Sequence, residues 1–120
     1  MPEPNTIQHA AVRAQLERIL LSPGFSASPR LCSLLRYLVE QTLNGSASDI
    51  KEYSIGLEVF RLPPTFDPKT QSIVRSTAAK LREKLAEYYG GAGQSDPIII
   101  DIPKGAYVPR FRAVRKSAPR

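Results

Sequence analysis

The sequence predicts a small, mainly α-helical domain that ends in a β-hairpin. Apolar residues recur at helical spacing up to about residue 89, and from residue 98 they alternate with a period of two. Stretches rich in glycine or proline separate these segments. The chain has 120 residues, of which 42% are hydrophobic, and this size and composition fit one globular domain.

Two helices are predicted in the first 45 residues. The first spans Asn5–Leu21, is capped at residue 5 or 6, and ends at Pro23-Gly24. The second has Ser28 as its N-cap and Pro29 at its first position, where the missing N–H costs nothing. Its leucines form the strongest periodic pattern in the chain, and Asn44-Gly45 ends it.

A short third helix is predicted from about Ile50, because Asp49 and Glu52 have the spacing of a capping box. The proline-rich segment 62–68 cannot be helical. We expect it to be an ordered loop, because the side chain of Phe66 needs apolar neighbours.

A long fourth helix and a hairpin complete the predicted domain. The helix runs from about Thr70 to Tyr89, and the glycines at 90–93 stop it. The strands of the hairpin are 98–102 and 107–111, with a turn at 103–106 and an edge position at Pro109. We therefore expect one domain over residues 1–111 and a basic, disordered tail over residues 112–120.

Positive charge is concentrated in the second half of the chain. Residues 1–60 have five Lys and Arg against six Asp and Glu, whereas residues 61–120 have twelve against five. The net charge of +6 therefore comes entirely from the second half. This asymmetry favours an anionic partner, nucleic acid first and an anionic membrane surface second. A solubilising surface without a partner is the alternative.

Several kinds of function are disfavoured. One cysteine, Cys32, and one histidine, His9, leave no internal disulfide and no metal site rich in these residues. No nucleophile–base set and no phosphate loop occur, so the sequence predicts neither an enzyme nor a cofactor. Neither a membrane span nor a signal peptide is indicated, and we expect a cytoplasmic protein.

Helices followed by a long helix and a hairpin with a basic turn are the element order of a winged helix-turn-helix. In that architecture the last helix enters the DNA major groove and the hairpin, or wing, lies against the phosphate backbone. Arg75 is suited to a bidentate contact with guanine, Gln71 to adenine, and Lys69 to phosphate. The predicted DNA-binding residues are Lys69, Thr70, Gln71, Ser72, Arg75, Ser76, Ala79, Lys80, Arg82, Lys104 and Arg110.

Taken alone, the charged face of this helix is more simply read as a solvated surface. Glu83 and Glu87 follow Lys80 and Lys84 at the three- or four-residue spacing that allows ion pairs along a helix. The hairpin, the charge asymmetry and the element order together favour DNA binding over that interpretation.

The chain also resembles a known family. Residues 74–85 and 100–111 are similar to the end of an OmpR-type winged-helix domain, where a Leu-Arg-x-x-Leu helix leads into a hairpin containing a Gly-x-Tyr pattern. Residues 10–111 more closely resemble a bacterial winged-helix module often found N-terminal to tetratricopeptide, WD40-like or cyclase regions. The matching segments are Phe25–Leu31, Leu35–Glu40, Lys51–Phe60, Phe66–Pro68, Ile73–Arg75, Leu81–Tyr89 and Pro103–Pro109.

This resemblance implies a winged-helix fold and DNA binding, without a target. Family members commonly have Asp-Pro before Ile-Val-Arg, whereas this chain has Gln71-Ser72, which leaves the first residue of the helix open, with Thr70 as one cap. We expect no sensor or repeat region after residue 120, and no receiver domain or N-terminal strands of OmpR-type regulators before the helices. We expect regulation to come from outside this chain.

The leading expectation is a small bacterial transcriptional regulator that binds double-stranded DNA sequence-specifically. Helix 70–89 would enter the major groove, and hairpin 98–111 would be the wing. One reading helix covers only a few base pairs, which favours a homodimer or tandem sites. The alternative is an adaptor that binds a protein partner on a winged-helix scaffold. RNA binding is a further alternative, although the element order favours duplex DNA.

Overall fold

The computed structural model describes residues 7–114. This part of the chain is mainly helical and ends in a two-stranded antiparallel hairpin, which confirms the coarse fold prediction. None of its helices combines the length and apolarity needed to cross a membrane. In chain order the elements are α1 (His9–Leu21), α2 (Pro23–Ser26), α3 (Pro29–Leu43), a 3₁₀ turn (Ala47–Asp49), α4 (Glu52–Glu58), α5 (Ile73–Tyr89), β1 (Ile98–Asp101) and β2 (Arg110–Ala113).

The helix α3 lies at the centre of the core, and its predicted bounds are confirmed. The Ser28 hydroxyl accepts a hydrogen bond from the Leu31 N–H at 3.4 Å, which caps the helix. At the other end Gly45 has a φ of 83°, a conformation that glycine adopts without strain. The buried stripe is the predicted one: Leu31, Leu34, Leu35, Leu38, Val39 and Leu43.

The start of α1 and the segment after it differ from the prediction. The helix begins at His9, so residues 7 and 8 are not helical, and the expected cap at Asn5 lies outside the described residues. Pro23 does end α1, but it also occupies the first position of α2. The buried ring of Phe25 attaches this short helix to the core.

The predicted capping box at α4 is wrong. Asp49 ends a separate 3₁₀ turn, and Ile50 continues in an extended conformation with its side chain buried. The helix starts only at Glu52. Its N-cap is Lys51, whose N–H donates a hydrogen bond to the Ser54 hydroxyl at 3.0 Å. Burial of Ile50 therefore overrides the local capping signal.

The loop between α4 and α5 is ordered by Phe66. This ring is buried, as expected, and lies directly against Gly56 of α4. It also stacks on Tyr53, with ring centroids 5.9 Å apart. The Tyr53 hydroxyl donates a hydrogen bond to the Pro64 carbonyl at 2.8 Å, which closes the loop onto α4.

The predicted start of α5 at Thr70 is also wrong. The Asp67 carbonyl accepts hydrogen bonds from the N–H groups of Thr70 and Gln71, at 3.0 and 2.9 Å, and forms a separate turn. The Thr70 hydroxyl donates to that same carbonyl at 3.2 Å and caps nothing. The helix begins at Ile73, with Ser72 as an N-cap that makes no side-chain bond.

The hairpin packs its first strand against α1 and α5, with Ile98 and Ile100 buried. Its second strand starts at Arg110 rather than at residue 107, because Pro109 is buried and has no N–H for the ladder. The strand continues to Ala113, so residues 112 and 113 belong to the hairpin and not to the expected tail. Residues 115–120 lie outside the described range.

A polar network joins α1, α5 and β1 behind the hairpin. Gln15 of α1 has no exposed surface, and its amide donates hydrogen bonds to Asp96 at 2.7 Å and to the Tyr89 hydroxyl at 3.4 Å. The Tyr89 hydroxyl also donates to the Ile98 carbonyl and accepts from the Ile100 N–H, both at 2.9 Å. The end of α5 is thereby tied to β1.

We predict that Gly56→Ala destabilises the protein. A methyl group there would lie 2.3 Å from a ring carbon of Phe66, and the buried ring must move. The expected loss in the free energy of unfolding is about 1–3 kcal/mol, although alanine by itself favours a helix by about 1 kcal/mol. Urea unfolding measures this. Gly24→Ala is the control, because nothing lies within 4 Å of its new methyl group. Equal stability of the two variants would contradict the close contact.

We also predict that stability declines in alkali because of two tyrosines. Burial is the main cause that raises the pKa of Tyr88 and of Tyr89 from 10.0 to about 12. Their contribution is complete below pH 10. The unfolded chain releases these protons first as the pH rises, so the free energy of unfolding falls between pH 10 and about 12. Urea unfolding across this interval should show a shallower decline for Tyr88→Phe than for the wild type. An identical decline would contradict the raised pKa.

Candidate nucleic-acid interface

The helix α5 exposes one continuous arc along its first turns. Its opposite side is buried, as Val74, Ala78 and Leu81 have no exposed surface. The predicted reading residues lie together on this arc or just before it, and all are exposed: Gln71, Ser72, Arg75, Ser76, Ala79 and Lys80. The short side chains of this set let another molecule approach the helix backbone.

Arg75 is held at the junction of α4 and α5. Its Nη1 donates to a carboxylate oxygen of Glu52 at 2.7 Å and to the Pro68 carbonyl at 2.8 Å. The side chain of Arg75 is still 47% exposed, against 20% for Glu52. Its Nε and Nη2 make no hydrogen bond to any described residue, so one edge of the guanidinium is available for a ligand.

Glu52 is a site residue that the sequence did not identify. The prediction assigned it to a cap, whereas the structure pairs it with a cation 23 positions away. No local pattern indicates such a pair. Tyr107 from the turn of the hairpin lies at the same junction, where burial is the main cause that raises its pKa and the charge of Glu52 adds to it. The hairpin turn and α4 therefore both border the exposed arc of α5.

Arg82 anchors the hairpin turn. Its guanidinium donates to three backbone carbonyls: Ile102 at 3.2 Å, Pro103 at 3.3 Å and Ala106 at 2.7 Å. The side chain is half-buried. The prediction grouped Arg82 with the phosphate contacts, but its hydrogen bonds give it a structural role in fixing the turn against α5.

Three other predicted residues also have partners within the fold. The Gln71 side-chain oxygen accepts from the Ile73 N–H at 3.3 Å, and the Ser76 hydroxyl donates to the Ile73 carbonyl at 3.2 Å. Arg110 pairs with Asp101 across the hairpin at 3.3 Å. Each of these interactions must loosen or be shared before the side chain contacts a ligand.

The cations with no ion pair in residues 7–114 include Lys69, Lys80 and Lys104, all exposed and all predicted site residues. Lys69 precedes α5, Lys80 lies on its arc, and Lys104 is in the hairpin turn. The outer face of α1 and α3 is different, because Arg13 pairs with Glu40 at 3.0 Å and Arg36 with Glu17 at 2.8 Å.

Residues 7–114 contain no group of three His, Cys, Asp or Glu side chains placed to hold a metal ion. The Cys32 thiol donates to the Phe25 carbonyl at 3.1 Å. Burial raises the pKa of this thiol, and the nearby charge of Arg36 lowers it by less. Cys32 therefore acts as a packed residue between α2 and α3.

Comparison of the chain with known protein families, with curated proteins and with solved structures gave no match.

We predict that Arg82→Ala destabilises the fold, because three carbonyls lose a charged donor. The expected loss in the free energy of unfolding is about 2–3 kcal/mol, and Arg82→Lys should recover only part of it, since one ammonium cannot reproduce the planar geometry. Lys80→Ala is the matched control on the same helix and should stay within about 0.5 kcal/mol of the wild type. Urea unfolding of the three variants measures this. A wild-type value for Arg82→Ala would rule out the anchoring role.

Proposed function

We propose that this protein is a winged-helix DNA-binding protein. In this proposal α5 enters the major groove of a duplex, and the hairpin of β1 and β2 lies beside it as the wing. The observation that carries the proposal is the distribution of ion pairs. On the outer face of α1 and α3, Arg13 and Arg36 are paired with carboxylates. In contrast, Lys69, Lys80 and Lys104, which lie before α5, on α5 and in the hairpin turn, have no ion pair among the described residues.

The arrangement of α5 supports the same conclusion. Ser76 and Ala79 lie between the cationic residues Arg75 and Lys80 on the exposed arc, so the helix backbone can approach base edges closely. Glu83 is exposed on the next turn and would repel phosphates. Contacts with bases are therefore expected only along the first two turns of the helix.

Different residues would do different work in the complex. The free edge of Arg75 suits a bidentate contact with guanine, and its bonds to Glu52 and Pro68 would hold it in one orientation. Lys69 precedes α5 in the chain and Lys104 lies in the hairpin turn, and both would contact phosphates. A module of this kind acts most simply as a transcriptional regulator that binds specific sites.

We predict salt-dependent binding to duplex DNA that depends on Lys80. Fluorescence anisotropy with random-sequence duplex across a salt series measures the slope of log K against log salt. Each phosphate contact contributes about −0.9 to that slope, so Lys80→Ala should make it shallower by about that amount. Arg13→Ala is the matched control, because it removes the same charge from the ion-paired surface of α1 and α3.

The outcomes separate the two candidate functions. A slope that changes for Lys80→Ala and not for Arg13→Ala supports the α5 surface as the interface. Equal changes in both variants would indicate a general effect of net charge. Absence of binding by the folded wild type at low salt would rule out the DNA-binding proposal. Binding of a protein partner, as an adaptor, would then become the leading function.

A further inference from the structure

A groove of about 490 Å³ runs along α5 on the side away from the hairpin. One wall comes from α2 and the start of α3, with Gly24, Ala27 and Leu31, and the other comes from α5. Three cations line it, Arg30, Lys80 and Lys84, and no carboxylate is among its lining residues. The groove is therefore apolar at its walls and positively charged along its rim.

Arg30 places a positive charge on the wall of the groove that faces α5. It belongs to α3, whereas Lys80 and Lys84 belong to α5, so the positive charge faces the groove from both sides. Its guanidinium lies 5.7 Å from the centroid of the Phe60 ring, which restrains its position. No described carboxylate forms an ion pair with it, whereas Lys84 is paired with Glu87 at 3.4 Å.

The groove and the hairpin lie on opposite flanks of the exposed arc. An α-helix turns by about 100° per residue, so Lys80 and Arg82 point about 160° apart. Lys80 lines the groove, and Arg82 holds the hairpin turn. The residues between these two directions are those of the exposed arc, including Ala79. Ser76 and Lys80 belong to the arc and the groove at once, so the two surfaces are continuous.

We propose that this groove holds the sugar–phosphate backbone of one DNA strand while the hairpin faces the other strand. The inference rests on the proposed DNA-binding function. A helix in the major groove has a backbone on each flank, because the groove is only about 12 Å wide. On the flank away from the hairpin, phosphates meet the charges of Arg30, Lys80 and Lys84, and the apolar walls lie against sugars.

The test uses two arginines of the same helix. Arg30→Gln removes a charge from the groove, and Arg36→Gln removes the same charge from the outer face of α3, where Arg36 pairs with Glu17. In the salt-series anisotropy experiment with random-sequence duplex, Arg30→Gln should make the slope of log K against log salt shallower by about 0.9. Arg36→Gln should keep the wild-type slope, and Arg30→Lys should keep it too, because the charge remains.

Lys84→Gln tests the other wall and keeps the experiment decisive if Arg30→Gln does not fold, as judged by circular dichroism. It should also make the slope shallower. Wild-type slopes for both folded groove variants, or equal slopes for Arg30→Gln and Arg36→Gln, would overturn the groove proposal and leave DNA binding through α5 intact. Absence of wild-type binding would instead overturn the proposed function itself.

Discussion

The buried amide of Gln15 holds the C-terminal end of α5 and the segment after it in place against α1. Burying such a group without partners costs about 1–3 kcal/mol, so the chain must bring partners to it. Asp96 accepts from its nitrogen at 2.7 Å, and Arg18 donates to its oxygen at 2.8 Å. No buried side-chain nitrogen or oxygen among the described residues lacks a hydrogen-bond partner. The segment after α5 is consequently fixed against α1.

The start and the middle of α5 are fixed by a second set of contacts. Arg75 joins the helix to Glu52 of α4 and to the loop at Pro68, and Arg82 joins it to the hairpin turn. At the far end Gly93 leaves room for the ring of Tyr88, since a Cβ there would lie 2.0 Å from a ring carbon. The exposed arc is therefore carried by a helix held along its length, which lowers the ordering cost of binding.

The success and failure of the sequence predictions follow the range of the interactions involved. The bounds of α3 were predictable because its cap, its leucine stripe and its terminal glycine are all local signals. The starts of α4 and α5 were not, because burial of Ile50 and the turn built on the Asp67 carbonyl decide them. The exposed set on α5 followed from helical periodicity. The roles of Arg82 and Glu52 did not, because their partners lie 20 or more positions away.

The number of cations proposed to contact phosphates sets the salt dependence expected of one protomer. These cations are five: Lys69, Lys80 and Lys104 on the α5 side, and Arg30 and Lys84 in the groove. At about 0.9 per phosphate, their combined slope is about −4.5. A steeper slope requires further charges, either from other cations of the same chain, among them Arg61, Arg112, Arg115, Lys116 and Arg120, or from a second protomer. These two sources differ in one respect, because only a second protomer makes occupancy of the DNA rise more steeply than the first power of the protein concentration.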